Sequence, residues 1–77
     1  MEQELIEHIV RALVHDPEAV STNLIDGEKA SIIELHVGVG DEGRIIGKRG
    51  NIAKAMRTIL QAAAARSGKR CMLEIVG

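Results

Sequence analysis

Between Ile45 and Ile52 the chain reads Ile-Ile-Gly-Lys-Arg-Gly-Asn-Ile: an aliphatic pair, two cations bracketed by glycines, and an apolar residue that opens a helical pattern. Glycine lets the main chain come close to a ligand and take positive φ. The helix that follows aims its free N–H groups and the positive end of its dipole at the same spot. Helices commonly offset that dipole with Asp or Glu in the first turn. Here the first turn offers Asn51, Ile52, Ala53 and Lys54, which leaves the positive end for an external anion. From Gly43 to Leu73 there is no carboxylate, while Arg44, Lys48, Arg49, Lys54, Arg57, Arg66, Lys69 and Arg70 all fall in that window. The chemistry implied is the holding of an anion, and the number of cations in the window points to a polyanion. The competing interpretation of the same residues is a tight helix-to-helix turn with solvated cations.

Net charge conceals this feature. The formal total is −1, but residues 1–42 stand at −8 and residues 43–77 at +7. The cationic half predicts an anionic partner and the acidic half limits indiscriminate binding.

Other chemistries fail on spacing. Gly38-Val39-Gly40-Asp41-Glu42-Gly43 matches a dinucleotide-binding pattern by letter, yet Asp41 and Glu42 would face a pyrophosphate, and 77 residues cannot build a doubly wound sheet. A Walker loop is one residue short from Gly43 to Gly47, with Arg49 in the magnesium-binding Ser/Thr place. His8 and His15, seven positions apart on one helix, are separated by ~10.5 Å along its axis, too far to share a metal ion. Solvated or capping roles are the default for His8, His15 and His36, and Cys71 alternates with core positions as a small buried hydrophobe. No catalytic constellation emerges, so no enzyme, metal or cofactor is expected.

The elements that position the loop follow from periodicity. Leu5, Ile6, Ile9, Val10 and Leu13 predict an amphipathic helix over 2–14, stopped by Asp16-Pro17. Strands over 20–25 and 31–39 flank an Asp26-Gly27 turn, with Ile33, Leu35, Val37 and Val39 on the core face. Asp41 caps a short helical turn through Ile46, and residues 47–50 form a loop. A second long helix presents Ile52, Met56, Ile59, Leu60 and Ala63 to the core and Lys54, Arg57 and Gln61 to solvent, then ends at Ser67-Gly68. A last strand runs over 70–76 with Cys71, Leu73 and Ile75 inward. Residues 1–77 therefore make a single α+β domain in the order α-β-β-α-α-β. Its core is aliphatic, built from ten Ile, six Leu, six Val and the alanines without any aromatic residue. The lone cysteine suits a reducing cytoplasm, and neither a signal peptide nor a membrane span is expected.

The motif Ile45-Ile46-Gly47-Lys48-Arg49-Gly50-Asn51-Ile52, with this element order, resembles type II (prokaryotic) KH domains. The chain length and Gly68-Lys69-Arg70 before the last strand are similar to the stand-alone bacterial KhpA-type group. The resemblance implies a three-stranded mixed sheet with helices packed on one face. It also implies a clamp for about four nucleotides of single-stranded RNA, possible also for single-stranded DNA. The sugar-phosphate backbone would lie on Gly47, Lys48, Arg49 and Gly50, with bases in an aliphatic groove at Ile46 and Ile52. Arg44, Asn51 and Lys54 would flank the loop, with Arg57 peripheral. Without aromatic residues there is no base stacking on Tyr or Phe, so sequence specificity should be low. The resemblance further implies an RNA chaperone or post-transcriptional regulator, as a homodimer or paired with a larger Jag/KhpB-type KH protein. The alternative is a dimerisation or protein-interaction module with a KH fold, in which RNA binding is secondary.

Overall fold

The computed structural model describes residues 2–66 and 68–76. Its order is α1 (Glu2–Leu13), β1 (Ser21–Asp26), β2 (Ala30–His36), α2 (Glu42–Ile46), α3 (Asn51–Ala65) and β3 (Arg70–Val76), with single 3-10 turns at Pro17–Ala19 and Lys48–Gly50. This is the α-β-β-α-α-β order expected of a KH fold.

β2 is the central strand, antiparallel to β1 and parallel to β3. The register aligns Leu24, Ile33 and Leu73 in one row and Ile25, Ile32 and Met72 in the next. Because side chains alternate along a strand, these rows face opposite sides of the sheet. Ile33, Leu35 and Leu73 pack with Ile6 and Val10 of α1, Ile45 of α2, and Met56 and Leu60 of α3, so all three helices lie on the same face. The outer face carries Asn23, Glu34 and Glu74 beside the exposed Ile25 and Met72.

Three expectations shift by a few residues. β2 ends at His36, opposite Ser21, the first residue of β1. Val37 still packs on the core, but Val39 is fully exposed. On α1 only Ile6 and Val10 are buried, with Leu5 and Leu13 left outside. On α3 the buried stripe is Ala53, Met56, Leu60 and Ala64 in place of one running through Ile59 and Ala63. The sheet lies one residue further round the helix than the large side chains suggest, and Ile59 is exposed. Ser67 lies outside the described residues; Gly68, with φ of +74°, supplies the left-handed turn into β3.

Asp41 also behaves differently from a simple cap. It precedes α2, and its carbonyl accepts the N–H groups of Arg44 and Ile45, but its side chain makes no capping bond to that helix. The carboxylate instead accepts the backbone N–H groups of His15 and Asp16, each at 3.1 Å. Pro17 prevents α1 from continuing, and these two donors are thereby satisfied by a residue 25 or 26 positions away. Asp41 is 3% exposed, the one fully buried charged side chain among the described residues. The His15 N–H lowers its pKa, burial opposes this, and the Asp16 N–H with the nearby His15 and Arg44 charges lowers it further.

A carboxyl whose folded pKa is depressed stabilises the fold above its unfolded pKa, about 3.9, and loses that contribution as pH falls through the folded value. Asp41→Asn should therefore melt several degrees below wild type at pH 7. The gap between the two should close below about pH 4, as read by circular dichroism melts across pH.

Candidate nucleic-acid interface

α2 closes on Gly47, whose N–H returns to the carbonyl of Gly43 at 3.0 Å. Gly47 sits at φ 75° and ψ 175°, a conformation that residues with a side chain essentially do not adopt. Its backbone rests on Ile52: a Cβ added there would lie 2.6 Å from Ile52 Cγ1. Lys48 follows, then Arg49 at φ 59° and Gly50 at φ 74°, both left-handed, and the Gly50 N–H closes the turn on the Gly47 carbonyl at 3.1 Å. Holding a non-glycine residue such as Arg49 in that region costs roughly 1–2 kcal/mol. The geometry leaves the Lys48 and Arg49 side chains exposed. α3 then starts without an acidic residue in its first turn and without a side-chain cap.

Beside this loop runs a groove of about 600 Å³. One wall is Ile46, Gly50, Ala53, Lys54 and Arg57; the other is Leu73, Glu74 and Ile75 of β3, with Glu42 also in the lining. Ile46 is 43% exposed, which is how an aliphatic residue on a short helix reaches the groove while its neighbour Ile45 is fully buried. The groove combines an apolar surface, two cations on the helix wall and two acids, Glu42 and Glu74, elsewhere in the lining.

The expected site residues divide accordingly. Gly50, Ile46 and Lys54 line the groove, and Lys48 and Arg49 stand on the loop next to it. Gly47 forms the half-buried back of the loop. Ile52 is not in the groove lining: it is half-buried under Gly47 and packs against the core. Asn51 is exposed at the start of α3 and outside the lining. Arg44 is drawn back to Asp41, with Nε 3.7 Å from Oδ1.

Arg57, expected to be peripheral, lies on the wall itself. Its spacing gave the signal, since it stands three residues after Lys54 and four after Ala53, on the same helical face. Nothing local marks Leu73, Glu74 and Ile75, which reach the groove only through sheet pairing. Cys71 is half-buried, and burial, with the charge of Glu2, pushes its thiol pKa up.

The sequence model of the KhpA/KhpB KH domain matches residues 3–75. The chain belongs to this KH-domain family. It is 52% identical over 75 residues to the RNA-binding protein KhpA of Borreliella burgdorferi, covering 97% of this chain and 92% of that one. It is 47% identical over 76 residues to KhpA of Treponema pallidum, covering 99% and 95% of the two chains. Against KhpA of Clostridium perfringens the identity is 46% over 74 residues, covering 96% and 99%. No solved structure matches. Members of this KH family are not enzymes.

The two glycines of the loop should respond differently to substitution. Gly50→Ala meets nothing within 4 Å and carries only the left-handed backbone penalty, about 1–2 kcal/mol. Gly47→Ala adds a clash with Ile52 to a glycine-only conformation and should cost at least about 3 kcal/mol, as measured by urea denaturation.

Proposed function

We propose that the chain is a single-stranded RNA-binding protein that clamps about four nucleotides against the Gly47-Lys48-Arg49-Gly50 turn. The observation that carries this reading is the placement of the loop, the acid-free start of α3 and the groove next to one another. Phosphates meet Lys48, Arg49, Lys54, the N–H groups at the head of α3 and its positive dipole end. Bases enter beside Ile46, Ala53, Leu73 and Ile75. Several relatives are named as RNA-binding proteins, which supports the same reading. No aromatic side chain is present to stack a base, so discrimination among sequences is low. A clamp of this kind suits an RNA chaperone or post-transcriptional regulator acting in the cytoplasm, where a lone thiol remains reduced.

Self-association, or pairing with a larger KH protein of the family, is a second reading. It is favoured by the large apolar side chains left outside a thin core, among them Leu5, Leu13, Leu24, Ile25 and Met72 at 38–51% exposure. Sedimentation should show dimers at micromolar concentration. A single 8.3 kDa species up to high micromolar concentration would remove homodimerisation.

Replacing Lys48 and Arg49 together by Asp should lower single-stranded RNA affinity by at least about tenfold, because each contact exchanges attraction for repulsion at an uncompensated helix end. Both side chains are exposed, so the melting temperature should stay close to wild type. Wild type should also prefer a single strand to its perfect duplex, since unstacked bases are what the groove admits. Unchanged RNA affinity in the folded double variant, measured by mobility shift, would reduce the loop to a turn and favour the interaction module.

A further inference from the structure

The groove does not stop at Arg57. A second cavity of about 560 Å³ follows along the same helix and strand, lined by Gln61, Ala64 and Ala65 of α3 and by residues 68–72 opposite. From Arg57 to Gln61 is about one helical turn, and Met72 immediately precedes Leu73, so the two cavities follow one another along the same helix and strand. Consecutive strand residues of both facings line this wall, Cys71 and Leu73 from the core side and Met72 and Glu74 from the outer side. The wall is therefore the open edge of β3, which has no strand partner on that side among the described residues.

We propose that this second half continues the single-strand track: Gln61 to Ala65 spans ~6 Å of helix, room for one or two nucleotides beyond the four at the loop and a footprint of about six. The proposal rests on the single-stranded RNA reading and extends it. α3 carries no carboxylate along its whole length, so a phosphate chain following the helix meets Lys54 and Arg57 on that wall, and the acids of the first cavity, Glu42 and Glu74, come from α2 and β3. At the far end Lys69 is engaged by Asp26, whereas no described residue forms an ion pair with Arg70, which also lines the cavity. Ala64 and Ala65 leave width for a nucleotide, and Gln61 midway can both donate and accept hydrogen bonds. The strand edge offers unpaired backbone N–H and C=O groups to base edges, with Met72, half exposed, as an apolar surface beside them.

Fluorescence anisotropy with labelled mixed-sequence RNA of four and six nucleotides, titrated across salt, tests this. Wild type should bind the hexamer roughly tenfold tighter than the tetramer, with a salt slope steeper by about 0.7 for each added phosphate contact. Gln61→Glu, which places a carboxylate in the second half on an exposed helix position, should weaken the hexamer several-fold and leave the tetramer unchanged. Arg70→Gln should do the same and bring the hexamer's salt slope toward that of the tetramer. The Lys48 and Arg49 double variant should weaken both oligonucleotides.

Equal salt slopes for the two lengths in wild type, or hexamer binding unmoved by Gln61→Glu, overturns the extended track while leaving the loop site standing. A change in sedimentation with unaltered RNA affinity in Gln61→Glu also overturns it and assigns the second half to a protein contact. Failure of wild type to bind either oligonucleotide overturns the single-stranded RNA reading and this extension together.

Discussion

Gly47 lies on the side chain of Ile52 with no room for a methyl group between them, and the loop takes its shape from that contact. The chain leaves α2, passes over Ile52 in a conformation only glycine holds, and reverses through two left-handed residues into α3. Ile52 is in turn fixed by the aliphatic core. The turn is thus seated on the hydrophobic interior, and Lys48 and Arg49 are left outside because the backbone beneath them cannot move inward. Arg49 occupies a strained backbone position, which fits a residue kept for its charge at some cost to the fold.

The other end of α2 is held by a different force. Asp41 is buried and ionised, which is tolerable only because two backbone N–H groups converge on its carboxylate. Those donors belong to the segment that leaves α1, so a polar clamp ties the N-terminal helix to the start of the loop-bearing unit. α2, only five residues long, has little stability of its own. Asp41 before it and Ile45 within it are what keep it in place.

Charge is distributed so that the partner can approach from one side. The acid-free helix wall faces the groove from the loop onward, while Glu42 and Glu74 also line it. In the proposed binding mode a phosphate backbone is steered toward α3 and away from the strand, which leaves the apolar strip and the open edge of β3 to the bases. The weak overall charge of the chain therefore understates its local field, as the division between its two halves implies.

Much of this was determined by the sequence alone. Helical and alternating spacing placed each element to within a few residues, and the glycines, the cations and the acid-free first turn marked the loop, because these are properties of short local segments. The tertiary structure decided which side of each element does what. Ile46 and Ile52 are equivalent in the pattern, yet one lines the groove and the other supports Gly47. Asp41 carries a good capping residue type, yet its carboxylate reaches across to His15 and Asp16. Arg57 lines the groove, and Leu73 to Ile75 build its far wall. These assignments depend on the angle at which α3 packs on the sheet and on the pairing of β3 with β2. Both are set by contacts between residues tens of positions apart, to which local periodicity is blind.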